Sequence, residues 1–102
     1  MILMPSRYEP CGLTQLYALR YGTVPVARAT GGLDDTIDVG TGFKFDEFSG
    51  QALLAAIREA VLAFSNPEGW KAMMVRGMQK DFSWTRSAGA YSSLYQRLLG
   101  RP

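Results

Sequence analysis

The sequence contains no histidine. That absence removes the commonest general base, the Ser-His and Cys-His nucleophile pairs, and the commonest metal ligand. There is one cysteine, Cys11, so an internal disulfide is impossible and a structural zinc site is excluded. Such sparing use of cysteine fits a reducing cytosol. No apolar run approaches the roughly 20 residues needed to span a bilayer. The opening "MILMPSRYE" has neither the basic leader nor the long apolar core of a signal peptide. Basic residues do not cluster: the net charge is +2, and in the densest interleaving, "WKAMMVRGMQK", the charges fall on the outer face of a predicted helix. A nucleic-acid footprint is denser than that. Neither nucleic acid nor a membrane is therefore an expected partner.

What remains is an ordinary globular composition, 47% hydrophobic over 102 residues, enough for one small core. "MILM" is an apolar run closed by Pro5 and reads as a buried strand over 1–4. "GLTQLYALRYG" predicts a helix over 12–21, stopped by Gly22. Its apolar residues Leu13, Leu16, Tyr17, Ala18, Leu19 and Tyr21 go nearly all round, which predicts burial on more than one side. "TVPVARAT" reads as a strand over 24–29 and "GFKF" as one over 42–45. The Gly- and Asp-rich "GGLDDTIDVGTG" between them reads as a loop. An amphipathic helix over 50–65 follows, with Leu53, Ile57, Ala60, Val61 and Phe64 on one stripe. Asn66, Pro67 and Glu68 open a helix over 68–80, with Trp70, Met73, Met74 and Gly77 facing inward. Ser83 caps a last helix over 84–99, whose seam is Trp84, Ala88, Tyr91, Tyr95 and Leu98. Strands alternating with helices predict an α/β fold with a small parallel sheet, half of a doubly wound domain rather than a whole one.

The chemistry-bearing stretch is "PSRYEPCGLTQLYALRYG", residues 5–22. It sets a glutamate, a cysteine and a glycine at the mouth of a helix, at the carboxyl end of the sheet, where open α/β folds bind ligands. Free backbone N–H groups at such a mouth favour anions, which makes Gly12, Leu13 and Thr14 candidates for phosphate contact; a plain strand-to-helix turn explains the same pattern. Glu9 has the chemistry to accept hydrogen bonds from sugar hydroxyls or to stabilise a developing cationic centre, or it is a solvated loop residue. Cys11 has no base to activate it and reads as a small packed residue near the site, not a nucleophile. Gly31 and Gly32 of "TGGLDD" offer backbone amides to a ligand, though their spacing matches neither a Walker loop nor a dinucleotide fingerprint. Asp34, Asp35 and Asp38 read as solvated turn formers, and no metal is expected.

These residues resemble a known family. "PSRYEPCGLTQLYALRYGTVPVARATGGLDDT", then "GTGFKF", then "DFSWTRSAGAYSSLY" are similar to the carboxyl-terminal part of bacterial glycogen synthase and plant starch synthase, over nearly the whole chain. The resemblance implies a retaining glucosyltransferase that takes glucose from ADP-glucose to extend an α-1,4-glucan at its non-reducing end, without a cofactor. It implies the GT-B fold of twin Rossmann-like halves, with this chain as the C-terminal half of the nucleotide-binding domain. It places Glu9 against the transferred glucose as the catalytic carboxylate, with Cys11, Gly12, Leu13 and Thr14 around the donor sugar and its distal phosphate. Tyr17 stands where many relatives carry a second glutamate, and Tyr17, Gly31 and Gly32 are possible donor-side residues. Location in the cytoplasm is implied, or in the plastid for a plant protein.

The family also carries an acceptor-side domain and further donor contacts that would lie before Met1. The chain is therefore expected to be a fragment, inactive alone, whose partners are the N-terminal domain and, through the complete enzyme, nucleotide sugar and α-glucan. The seam of Trp84, Tyr91, Tyr95 and Leu98 is expected either to mediate self-association or to fold onto Leu53, Ile57 and Phe64. A non-catalytic phosphate- or nucleotide-binding module, an interaction piece without a ligand, and a fragment of another retaining glycosyltransferase are the alternatives.

Overall fold

The computed structural model describes residues 1–101. Its elements follow in the order β1 (Ile2–Met4), α1 (Thr14–Arg20), β2 (Pro25–Arg28), α2 (Gly31–Thr36), β3 (Phe43–Phe45), α3 (Gly50–Phe64), α4 (Pro67–Met78) and α5 (Trp84–Leu98). The three strands form one parallel sheet in the order β1-β2-β3, as the alternation of strands and helices requires. Leu3 pairs with Val26, and Ala27 with Lys44.

Adjacent residues of β2 point to opposite faces, and each face has its own core. On one side Val26 and Phe45 pack with Ala56 and Ala60 of α3, supported by Phe43, Ala52, Leu53 and Ile57. On the other, Ala27 packs with Leu33 and Ile37, and Met4 joins them. Helix α4 lies against both α1 and α3. Trp70 stacks on Phe43 at 6.3 Å and meets Phe64 edge-on at 5.1 Å. Gly77 gives the close approach of α4 to α1, because a Cβ there would lie 3.0 Å from Leu19 Cδ2.

The ends of the helices follow local chemistry. Helix α1 stops in a paired-bond cap: Gly22 takes φ +76°, its N–H donates to Leu19 O, and the N–H of Thr23 donates to Ala18 O. The side chains of Ser49, Asn66 and Ser83 accept from the N–H of Ala52, Gly69 and Arg86, capping α3, α4 and α5.

Three expectations are corrected. The stretch "GGLDDTIDVGTG" is not all loop, since α2 occupies Gly31–Thr36. Two glycines and two aspartates disfavour a helix locally, but Leu33 and Ile37, four residues apart, are both fully buried beneath Ala27. Packing overrides propensity. Helix α1 is not buried on several sides: only Gln15, Ala18 and Leu19 are, while Leu13, Tyr17 and Tyr21 face outward. On α3, Val61 and Phe64 are exposed, and Ala56 and Ala60 are the deepest residues. Small side chains sit there because the helix lies close to the sheet.

Helix α5 has no buried residue. Its seam does not fold onto α3, whose Leu53 and Ile57 pack against the sheet instead; Trp84 is 87% exposed. The chain is accordingly elongated, 50 × 31 × 18 Å with a radius of gyration of 16.0 Å, against about 13 Å for a compact chain of this length. Removing residues 83–102 should move the thermal midpoint of the rest by less than about 4 °C. A larger drop in a melting curve would mean that α5 packs on the body.

The Asp38–Thr41 turn is tied to α4. Asp38 Oδ1 accepts from the N–H of Gly40 at 2.9 Å, its Oδ2 pairs with Lys80, and Arg76 Nε–H donates to Gly40 O at 2.8 Å. The hydrogen bond from Lys80 does most to hold the Asp38 carboxyl below the usual carboxylate range, and the Gly40 amide adds to it. A carboxylate held low stabilises the fold above its unfolded pKa of about 3.9 and loses that contribution as pH falls through the lower folded value. Replacing Lys80 with Ala should therefore raise the Asp38 pKa and cost less than about 1 kcal/mol at neutral pH, as for other exposed pairs. That difference should vanish in acid once Asp38 is protonated in the folded chain, and NMR titration of Asp38, with unfolding curves at pH 7 and below the folded pKa so found, checks both statements.

Candidate functional site

In a parallel sheet all strand-to-helix connections leave from one end. Here residues 5–13, 29–30 and 46–49 meet beyond the carboxyl ends of β1, β2 and β3. The expected donor-side residues are all on the first two connections or the helices they enter. The structure brings them together by backbone contact. The N–H of Gly32 donates to Glu9 O at 2.9 Å. A Cβ at Gly31 would lie 2.0 Å from Glu9 O, and one at Gly32 would lie 1.9 Å from Cys11 O. The two glycines thus bring α2 against the 9–11 backbone of their own chain. The Gly32 amide, expected as a ligand contact, is bonded to Glu9.

Gly12 has φ +79°, a left-handed conformation that glycine adopts without cost. The next residue, Leu13, is right-handed at φ −112°, ψ −25°. Consecutive residues of opposite hand turn their N–H groups to one side, forming an anion-binding concavity. The N–H groups of Gly12, Leu13 and Thr14 make no hydrogen bond within the described residues. Leu13 occupies the N-cap of α1 and offers no capping side chain, where Ser, Thr, Asp or Asn would ordinarily satisfy these donors. Helix α1 has seven residues, so the turn rather than a long helix dipole directs the amides.

Glu9, three residues before Gly12, is half-buried, and its carboxylate makes no bond to any described residue. Cys11 is exposed, a correction to its reading as a packed residue: the loop stands open at the end of the sheet, and it is the Cys11 carbonyl that faces inward. Tyr17 is also exposed. It lies one turn beyond Leu13, on a groove of about 710 Å³ between α1 and residues 77–83. Glu9 and Gly12 do not line that groove. Asp34 pairs with Lys44 at 2.9 Å and Asp38 with Lys80. No three potential ligands gather to hold a metal ion among the described residues.

Two residues escaped the sequence reading. Gln15 is completely buried. Its Nε2 donates to Cys11 O at 2.8 Å, Gly12 O at 3.0 Å and Thr36 Oγ1 at 3.3 Å, and Thr36 Oγ1 donates on to Gly32 O at 2.6 Å. Its alignment with Ala18, Leu19 and Gly22 on one helical face was the available signal. Arg28, which ends the apolar run of β2, donates to Asp46 O at 2.9 Å and Arg7 O at 2.6 Å. It shares the Phe48 ring with Arg7, at 5.6 and 4.9 Å from the centroid, and so ties the first connection to the third.

No family model matches the chain. Individual relatives do. The chain is 56% identical over 104 residues to the glycogen synthase of Anaeromyxobacter sp. (strain Fw109-5), covering 96% of this chain and 22% of that relative. Identity is 53% over 104 residues to the glycogen synthase of Koribacter versatilis, with 95% and 22% covered. The chain is homologous to the C-terminal part of glycogen synthases. Among solved structures, the catalytic domain of starch synthase IV from Arabidopsis thaliana bound to ADP and acarbose superposes with a TM-score of 0.81 at 38% identity, over 97% of this chain and 22% of that one. Sucrose-phosphate synthase from Thermosynechococcus elongatus gives 0.70 at 31% identity, over 96% and 25%. The α/β fold thus matches part of the GT-B fold of these glycosyltransferases, and the chain spans about a fifth of the length of the glycogen synthases it matches. No helix of the described residues is long and apolar enough to cross a membrane.

The glycine contact is the feature most exposed to mutation. Gly32→Ala puts a methyl group into the Cys11 carbonyl. It should cost more than about 2 kcal/mol, in the range of severe overpacking. Urea unfolding measures the loss, and an unchanged midpoint would show that the loop has room to move aside.

Proposed function

We propose that this chain supplies the sugar- and phosphate-facing part of the donor site of a retaining glucosyltransferase that extends α-1,4-glucan from ADP-glucose in the cytoplasm. Glu9 faces the transferred glucose. The N–H groups of Gly12, Leu13 and Thr14 receive the distal phosphate of the donor, and Cys11 and Tyr17 border the site. The observation that carries this reading is the run of unbonded amides at Gly12–Thr14, on the same connection as the Glu9 carboxylate, which has no partner among the described residues. An anion fits the first and sugar hydroxyls or a developing positive charge fit the second. One molecule bearing both chemistries is a nucleotide sugar.

The division of labour follows from charge. Backbone donors hold the pyrophosphate without bringing a competing cation near Glu9. As the bond from glucose to phosphate breaks, negative charge grows on the phosphate oxygen beside the amides. Positive charge grows on the sugar near the carboxylate. Both interactions strengthen along the reaction, which is what lowers a barrier. The relation to glycogen synthases supports glucan as the acceptor, and ADP in the starch synthase structure supports the donor base. Orientation of the donor requires further fixed contacts, which the rest of the complete enzyme provides, along with the acceptor-side surface.

Calorimetric titration with ADP-glucose, with Glu9→Ala as control, tests the reading. The chain should bind ADP-glucose weakly, and the variant more weakly by roughly the value of one charged hydrogen bond, about tenfold. It should incorporate no glucose into glycogen. Equal binding by parent and variant would remove Glu9 from the sugar, and turnover by the pure chain would show that it carries a complete site.

A further inference from the structure

We infer that Gln15 is the positioning residue that turns the phosphate-binding amides outward. The inference rests on the donor-site reading above and assigns a cause to its geometry. The Cys11 and Gly12 carbonyls both converge on Gln15 Nε2, at 2.8 and 3.0 Å. The peptide bonds here are trans, and in a planar trans peptide the C=O and N–H point in opposite directions. The Cys11 carbonyl shares its peptide plane with the Gly12 N–H, and the Gly12 carbonyl shares its plane with the Leu13 N–H. Drawing both carbonyls inward therefore aims both N–H groups outward. One buried carboxamide fixes two consecutive donors.

Three further observations fit a fixed device. The carboxamide orientation has one choice, because the reverse would set Oε1 against two carbonyl oxygens. The volume that a Cβ of Gly12 would fill is occupied by Gln15, whose Oε1 lies 2.5 Å from that position. Gly12 thus provides the left-handed turn and also the room for Gln15. Finally, the carboxamide is anchored to α2 through Thr36, which bonds Gly32, the residue that holds Glu9. The amides and Glu9 are consequently referred to one frame. Gln15 Oε1 is buried without a partner. An unsatisfied buried acceptor is costly, and its presence fits a residue retained for what its NH2 group does.

The test is NMR of the 102-residue chain, with inorganic pyrophosphate as the probe. In the parent, the Gln15 side-chain NH2 should be protected from water exchange while the Gly12 and Leu13 amides exchange freely. Those two amides and that of Thr14 should shift saturably with pyrophosphate. Gln15→Met keeps the length of the side chain and removes the donors. It should alter Gly12 and Leu13 exchange and weaken pyrophosphate binding by at least roughly tenfold, the scale of one charge-assisted hydrogen bond. Thr36→Val removes the anchor and leaves both carbonyls held. It should lower the melting midpoint but keep affinity within about threefold, less than the loss of one such bond. An unprotected Gln15 NH2 in the parent overturns the inference whether or not the variants fold. So does a Gln15→Met chain that melts early yet keeps parental exchange and affinity, because the role is then structural only. A parent that ignores pyrophosphate defeats the donor-phosphate reading instead, and amide exchange in parent and variant then decides the role of Gln15 by itself.

Discussion

The close contact between the Gly31–Gly32 backbone and the Glu9–Cys11 backbone governs the rest of this end of the molecule. With no side chains between them, the first turn of α2 and the first connection meet peptide to peptide. Such contact leaves the connection little freedom. Packed backbones have no rotamers to adjust, and movement of either segment must carry the other with it. A nine-residue connection, residues 5–13, would otherwise be mobile. Here it is held by α2 from one side, by Gln15 from beneath and by Arg28 at its start.

The polar groups of the site divide cleanly by what they face. Carbonyls of the connection point inward to Gln15, Gly32 and Arg28. The N–H groups of Gly12, Leu13 and Thr14 and the Glu9 carboxylate have no partner among the described residues. The protein satisfies these acceptors internally and leaves the N–H groups of Gly12, Leu13 and Thr14 unbonded.

Much of this was legible in the sequence, and the reasons for the failures are physical. The three strands, the parallel sheet and four of the five helices follow from apolar periodicity and caps, as Asn66–Pro67 and Ser83 show. Helix α2 was hidden because its information lies in Leu33 and Ile37, whose burial depends on Ala27 elsewhere in the chain. The outward faces of α1 and α5 were misjudged or left open because apolar residues declare that they favour burial, not what buries them. At the site, "EPCGLT" marked the open turn and its unbonded amides. The part of Gln15 was invisible, since a glutamine within a short helix is ordinarily a surface residue and nothing local says that two carbonyls converge on it.

The sheet has one more consequence. With the order β1-β2-β3, each outer strand has a hydrogen-bonding edge that no described strand pairs. The β1 edge is made by Ile2, Leu3 and Met4, without a charged residue or bulge, and Pro5 closes it only after the last paired position. Proteins that end a sheet in solvent usually guard the last strand with charge, proline or a twist. This strand has the character of an interior one. The boundary of this sheet is therefore a row of unpaired backbone groups along β1, open to a further strand from outside the described residues.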